Sequence, residues 1–222
     1  MTEHAAEQPA LPAALRQSIA SDLRPVRPLA PPVVRTAWLL PIALLLLLAA
    51  GVTLGIRRDA AYLGWWLTWG ASALEMTLGL GLIAASLREA VPGTTLSRRA
   101  LALCFGSALV ATTAITWLTW FVSPISILRD PTLFVWRVCV AGTIAGALPA
   151  LVVSGWLVAR GLPVRPRLAG ALYGLGAGLL SDAGWRIFCH FSDPAHVFGA
   201  HILAVGMMAL LGAALATILS RR

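Results

Sequence analysis

Six long apolar stretches follow one another after residue 35, and they constrain the fold more than any other feature of this chain. Each is about 20 residues long, which lets a helix cross the roughly 30 Å hydrocarbon core of a bilayer. Runs of consecutive leucines and the absence of apolar–polar alternation favour helices over a β-barrel. The stretches cover about residues 36–56, 62–87, 100–122, 133–159, 168–188 and 198–219. The sequence therefore predicts an all-α membrane protein with a bundle of six transmembrane helices.

The composition agrees with a membrane protein. Hydrophobic residues make up 59% of the 222 residues and charged residues only 12%, against about 25% charged residues in soluble domains. The net charge of +8 comes from 17 basic residues, all of them arginines in the N-terminal tail, in short loops or near span ends. The bias of cytoplasmic loops toward basic residues explains this pattern. We therefore expect no direct contact with nucleic acid.

The arginines also predict the orientation. Twelve of them lie on one side of the bundle if the N-terminus is cytoplasmic, and the opposite side then has at most five. Both termini are therefore expected in the cytoplasm. The twelve are Arg16, Arg24, Arg27, Arg35, Arg88, Arg98, Arg99, Arg160, Arg165, Arg167, Arg221 and Arg222.

Residues 1–34 form a polar, proline-rich tail that precedes the transmembrane domain of residues 35–222. This tail lacks the features of a cleavable signal peptide, so the first span is expected to direct membrane insertion. Four apolar residues recur every four positions in the tail and would form one stripe of a helix. They are Leu11, Leu15, Ile19 and Leu23.

The second part of the tail, from residue 23 to residue 32, cannot be helical. Pro25, Pro28 and Pro31 recur every three residues, as in a polyproline II segment. Two interpretations of the tail stay open. It is either a helix that lies on anionic lipid followed by a stiff linker, or a recognition segment whose apolar stripe binds a groove on a soluble partner.

Ionisable residues within the spans are costly, at about 3 kcal/mol each if they face lipid. These residues are Glu75, Arg137, Asp182 and Arg186. Asp182 and Arg186 are four residues apart, so we expect them to pair within one helical turn. Glu75 has no partner nearby in sequence and is expected to face the bundle interior, either protonated or bonded to Arg137 or another polar group. Buried charges of this kind also fit a small ion, metal or proton-coupled transporter, which is the alternative function.

The fifth apolar stretch has Gly170, Gly174 and Gly178 at intervals of four. Small residues at this spacing let another helix approach closely. We therefore predict a tight helix–helix contact along this stripe.

Thiols and imidazoles gather at the predicted outer end of the bundle. Cys139 lies near the start of the fourth stretch, and Cys189 and His190 stand at the end of the fifth. His196 lies in the loop that follows, and His201 lies at the start of the sixth stretch. These groups are ligands for zinc, cadmium or a similar soft cation. The two cysteines are equally suited to a reversible disulfide in an oxidising compartment. Cys104, near the opposite end, is interpreted as a small packing residue. No arrangement of residues typical of a catalytic site is found, so we do not expect an enzyme.

Several short motifs resemble one bacterial family. They are the segment from Asp22 to Leu29, Val91-Pro92-Gly93, Cys139 ahead of Leu148-Pro149, the segment from Arg167 to Leu172, and Cys189-His190 ahead of Asp193. On these residues the chain resembles the NrsF family of membrane-bound anti-sigma factors, which are negative regulators of extracytoplasmic-function sigma factors.

The resemblance implies a protein of the bacterial inner membrane whose tail holds a sigma factor away from RNA polymerase. Cys139 and Cys189 occupy the positions of the two family cysteines that respond to oxidants or heavy metals. No permanent cofactor is implied, only transient binding of zinc or a heavy metal. The segment expected to bind the partner comprises Leu11, Leu15, Ile19, Leu23, Arg24, Pro25, Val26, Arg27, Pro28 and Leu29. One departure concerns the family pattern Cys-Pro-Glu-Asp, because His190, Phe191 and Ser192 stand between Cys189 and Asp193.

Overall fold

The computed structural model describes residues 12–22, 28–123 and 132–220, and these residues form helices and no strand. A short helix in the tail precedes six longer ones. We number them α1 (Ala13–Asp22), α2 (Pro32–Thr53), α3 (Ala60–Glu89), α4 (Arg98–Val122), α5 (Leu133–Ala159), α6 (Pro166–Phe188) and α7 (Pro194–Leu219). Each of the six long helices matches one predicted stretch to within about one helical turn, and α5 matches it at both ends.

Five of these helices, α2, α3, α4, α5 and α7, are long and apolar enough to cross a membrane. The described residues thus form an all-helical fold that is compatible with a membrane, whereas the count of six spans and the cytoplasmic position of both termini stay predictions. The exception, α6, has 23 residues but is rich in glycine and contains Asp182 and Arg186.

Helix α6 is less apolar because it faces other helices instead of lipid. It packs against α2, α3, α5 and α7, and most of its residues are buried. Helix α4 is peripheral, packs mainly on α3, and exposes large apolar side chains such as Leu109 and Phe121. The least apolar long helix is thus the centre of the bundle.

The predicted close contact along Gly170, Gly174 and Gly178 is confirmed, and the neighbouring helix is α7. A Cβ on Gly170 would collide with the carbonyl oxygen of Gly212, and a Cβ on Gly174 would collide with that of Met208. The glycines let the two backbones touch, which is how helices associate where lipid offers no hydrophobic drive.

Two helices depart from regular α geometry at the same end of the bundle. In α3, Gly64 adopts a left-handed φ of 66°, and a π-helical segment, Trp66–Gly70, follows. In α7, one α-helical turn, Pro194–His196, is followed by a π-helical segment, Val197–Ile202. π-Helical turns inside α-helices occur frequently at functional sites. This end, where α2 and α6 finish and α3 and α7 begin, is called here the cysteine end.

Candidate sensing site

Two cysteines and two histidines meet at the cysteine end. The Sγ atoms of Cys139 and Cys189 are 3.8 Å apart, and the Cys189 Sγ lies 3.5 Å from Nε2 of His196. One ligand atom from each of Cys139, Cys189, His196 and His201 lies within 4.8 Å of every other. The four side chains come from α5, from the residue after α6, and from the first two turns of α7.

The π-helical segment of α7 explains why both histidines reach this site. Residues five apart in an α-helix point about 140° away from each other. The wider π turn, closed by i→i+5 hydrogen bonds, brings position i+5 closer to the face of position i. The rings of His196 and His201 are therefore neighbours, with centroids 5.2 Å apart. Asp193 caps this helix because its Oδ2 accepts a hydrogen bond from the His196 backbone N–H at 3.0 Å.

The four side chains are removed from solvent. Cys139 is 2% exposed, Cys189 6%, His196 0% and His201 2%. The edge of Trp136 packs on the His196 ring with centroids 5.4 Å apart. A cavity of about 10 Å³ touches Cys189 and His201, which is room for about one water-sized sphere.

Two properties show whether these residues fit a metal ion: the distances between their ligand atoms, and the nitrogens that have no hydrogen-bond partner. In tetrahedral coordination with bonds of about 2.0–2.3 Å, neighbouring ligand atoms lie roughly 3.3–3.8 Å apart. The two distances that involve Cys189 fall in this range. Nδ1 of His196 and Nε2 of His201 are buried without a hydrogen-bond partner among the described residues. The chemistry of the four side chains therefore fits a soft divalent cation, and the two distances at Cys189 fit its tetrahedral spacing. A disulfide, with sulfurs about 2.05 Å apart, would require the two Sγ atoms to move closer together.

Cys189 lies between α6 and α7, and its pKa is shifted. Its hydrogen bond with the Cys139 thiol lowers the pKa well below the ordinary value of a thiol. Burial acts in the opposite direction, and the imidazoles of His196 and His201 lower the pKa further. Cys189 is therefore the sulfur of the pair that loses its proton more readily, and the thiolate is the form that binds metals and reacts with oxidants.

A cluster of buried charges adjoins the site. Oδ1 of Asp182 is 2.6 Å from Nδ1 of His201, and Oδ2 of the same carboxylate accepts a hydrogen bond from Nε of Arg186 at 3.2 Å. Arg186 also forms an ion pair with Glu75, with 2.8 Å between Nε and Oε1. The predicted pair between Asp182 and Arg186 is thus confirmed.

Glu75 faces the bundle interior, as expected. Of the alternatives left open for it, the one with Arg137 is wrong. Arg137 lies on the exposed face of α5, whereas Glu75 on α3 faces the central helix and contacts Arg186. His190 is also outside the group of four, because it is only half-buried and its ring stacks on Phe191 with centroids 4.4 Å apart. Cys104 is a partly exposed residue of α4, away from the site.

A second network of buried hydrogen bonds, centred on Arg57, lies at the cysteine end. The sequence analysis does not predict it. Arg57 binds both carboxylate oxygens of Asp59 at 2.6 and 2.9 Å and donates to the Ser192 hydroxyl at 2.6 Å. Its Nη1 donates to the carbonyl oxygen of Arg186 at 3.3 Å. Burial favours the neutral form of Asp59, but hydrogen bonding and the charge of Arg57 lower its pKa overall. In the sequence, Arg57 contributes only to the distribution of arginines that predicts the orientation. No local pattern indicates its contact with residues 186–192.

The sequence of the chain is similar to that of one known protein family. The sequence profile of the NrsF family, described as "Negative regulator of sigma F", matches residues 19–221. The chain belongs to the NrsF family. No curated protein and no solved structure matches the chain. Membership in the NrsF family implies an anti-sigma factor with a sigma factor as its partner, which is a regulatory function and not a catalytic one.

The NrsF match begins inside the tail helix α1. This helix confirms part of the predicted helical stripe, and its Leu15 and Ile19 are 45% and 47% exposed. Pro28 and Leu29 are exposed and lie outside any helix. The other residues of the predicted partner-binding segment lie outside the described residues: Leu11, Leu23, Arg24, Pro25, Val26 and Arg27. The apolar stripe of α1 is thus available to a partner.

Proposed function

We propose that this member of the NrsF family is a membrane anti-sigma factor that holds an extracytoplasmic-function sigma factor through its N-terminal tail. It releases the sigma factor when Cys139 and Cys189 bind a heavy metal or are oxidised on the other side of the bacterial inner membrane. The observation that carries the sensing part is the meeting of two thiols and two imidazoles at one buried point.

The donor set favours a soft cation over the hard ions Mg²⁺ and Ca²⁺. Thiolate and imidazole groups select zinc, cadmium and related metals, whereas hard ions require oxygen ligands. In this proposal Cys139 and Cys189 supply thiolates, and His196 and His201 supply the remaining ligands. His190 is left out because its ring lies outside the group of four.

Oxidation is the second signal that the same thiols support. Two thiols would lose two electrons and two protons to an oxidant such as a peroxide and form one disulfide bond. Because the sulfurs are 3.8 Å apart, they would have to move closer to bond, and the new bond would link α5 covalently to the end of α6. Both signals thus change the contacts between the ends of α5, α6 and α7 at the candidate sensing site.

A movement of α6 at the cysteine end can be transmitted to the tail through contacts with α2. A Cβ on Gly184 of α6 would collide with the carbonyl oxygen of Leu46 in α2, so the two backbones touch. The backbone N–H of Arg57, after α2, donates to the carbonyl oxygen of Ile187 at 2.8 Å. Helix α2 leads to the tail at its other end. A shift of α6 at Cys189 would therefore move α2 and change how the tail presents its apolar stripe, provided the two states differ in packing free energy.

The experiment that tests the sensing role measures sigma-dependent transcription in cells exposed to cadmium or to peroxide. Cys139→Ser and Cys189→Ser are compared with Cys104→Ser, a cysteine variant outside the site. We expect both site variants to lose induction and Cys104→Ser to respond like the wild type. Induction that survives in both site variants would remove the thiols from the mechanism.

The tail is tested separately through capture of the sigma factor by the full-length protein in detergent. Leu15→Asp with Ile19→Asp places two charges on the apolar stripe, and Gln17→Asp places one charge on the opposite face as the control. We expect the double variant to lose the sigma factor and the control to retain it. Equal capture by the two variants would favour the interpretation of the tail as a lipid anchor.

A further inference from the structure

We infer that Asp182 is a positioning residue for metal binding at the candidate sensing site, because it orients His201 so that Nε2 faces the two thiols. This inference rests on the proposed metal-sensing function. It assigns a role at that site to a carboxylate that the sequence marks only as a partner of Arg186.

The contact between Asp182 and His201 determines which ring nitrogen is free. An ionised carboxylate only accepts hydrogen bonds, so the Nδ1 atom that lies 2.6 Å from Oδ1 of Asp182 is the one that bears a proton. The other nitrogen, Nε2, has no hydrogen-bond partner among the described residues. Its lone pair is therefore available, and His201 has a ligand atom within 4.8 Å of both cysteine sulfurs.

The carboxylate is itself held firmly. Asp182 is fully buried, its second oxygen binds Arg186, and Arg186 also contacts Glu75 on α3. Fixing the acceptor in this way fixes the plane and the tautomer of the imidazole. Carboxylates in this position behind a metal-binding histidine raise its basicity, and their removal typically weakens metal affinity about 10–100-fold.

A purely structural role for Asp182 predicts something different. If its purpose were only to neutralise Arg186, removal of its charge would disturb the helices and weaken metal binding whether or not His201 is present. If it acts through His201, its removal matters only while the imidazole is a ligand. A double-mutant cycle distinguishes the two roles because it isolates the coupling between the two side chains.

The test uses the full-length protein, reduced and in detergent micelles, titrated with Co²⁺. Absorption bands of sulfur-to-cobalt charge transfer report thiolate coordination, and the visible bands report tetrahedral geometry. The variants are Asp182→Asn, His201→Ala and the double variant, with Asp182→Glu as the conservative replacement. Glu89→Gln is the matched control, because it removes a buried carboxylate that pairs with Arg165 at the opposite end of the bundle.

We expect Asp182→Asn to keep the thiolate band and to raise the Kd for Co²⁺ about 10–100-fold. Asp182→Glu should recover part of the affinity, and Glu89→Gln should bind Co²⁺ like the wild type. In the His201→Ala background, Asp182→Asn should cause no further loss.

Two results would overturn the inference in distinguishable ways. If Asp182→Asn binds Co²⁺ with the wild-type Kd, or weakens binding equally with and without His201, Asp182 does not position the ligand and the metal-sensing proposal stands. If the wild-type protein shows no thiolate band with Co²⁺, both the metal-sensing proposal and this inference fail. If Asp182→Asn fails to fold, Asp182→Glu takes its place in the cycle and must then show at least part of the loss.

Discussion

The rings of His196 and His201 lie with their centroids 5.2 Å apart although five residues separate them in the sequence. A π-helical turn at the start of α7 causes this, and Gly199 within the turn packs against Trp136, whose ring in turn contacts His196. The geometry of the site thus depends on a local irregularity of the backbone as much as on its ligands.

The first prediction concerns Gly199. A Cβ at this position would collide with the Trp136 ring, so Gly199→Ala should displace Trp136 and with it His196. Overpacking of this kind costs about 1–3 kcal/mol, and we expect weaker binding of Co²⁺ by the purified protein. Gly206→Ala on the same helix is the control, because no atom lies within 4 Å of its added Cβ. Equal affinities for the two variants would contradict the role of this packing.

The helices of the fold follow from the sequence because their signal is local. An apolar stretch of about 20 residues specifies a spanning helix without knowledge of its neighbours. Gly170 and Gly174 also indicate that α6 contacts other helices, because small residues at this spacing are typical of helix–helix interfaces. The sequence cannot tell which helix meets them, and the structure identifies α7.

The candidate site could be predicted only in part. Cys139, Cys189 and the histidines stand out by residue type and by their common end of the bundle. Their arrangement could not be derived, because a regular helix would place His196 and His201 on different faces. The contact of Glu75 with Arg186 and that of Arg57 with Ser192 depend on which helices adjoin in space, and one sequence does not reveal this.

The second prediction concerns the thiolate of Cys189. The hydrogen bond with Cys139 lowers its pKa, so its thiolate should persist at pH values below the ordinary thiol pKa of about 8.5. Replacement of Cys139 by Ala removes this hydrogen bond and should shift the titration to higher pH. Thiolate absorbance in the ultraviolet, followed against pH in a Cys104→Ser background, measures the shift. Titrations that coincide with and without Cys139 would show that its thiol does not lower the pKa.

The third prediction concerns the ion pair between Arg57 and Asp59. The folded state lowers the pKa of Asp59 below its usual 3.8. Its contribution to stability is therefore complete above the unfolded-state pKa and is lost as the pH falls through the lower folded-state value. Asp59→Asn should cost about 3–5 kcal/mol at pH 7, because it leaves Arg57 buried without its partner.

Thermal unfolding in detergent at several pH values tests this prediction. The difference in Tm between the wild type and Asp59→Asn should be largest at neutral pH and should shrink in acid below about pH 3.8. Asp193→Asn is a suitable control, since asparagine also caps helices well and the hydrogen bond to His196 can be kept. A difference in Tm that is constant over the whole pH range would mean that the charge of Asp59 is not the cause.

The last prediction compares two arginines that the sequence had placed in one group. Arg186 is 7% exposed and contacts both Glu75 and Asp182, whereas Arg137 lies on an exposed face. Arg186→Met leaves two buried carboxylates without their cation and should lower the free energy of unfolding by about 3–5 kcal/mol. Arg137→Met should stay within about 0.5 kcal/mol of the wild type. Both values can be measured by denaturant titration in mixed micelles.

If the loss in Arg186→Met arises from the unpaired charge of Glu75, the added change Glu75→Gln should restore part of the stability, because it removes that charge while keeping the side-chain shape. Arg186→Met that is as stable as Arg137→Met would show that the buried cluster does not hold α3 and α6 together.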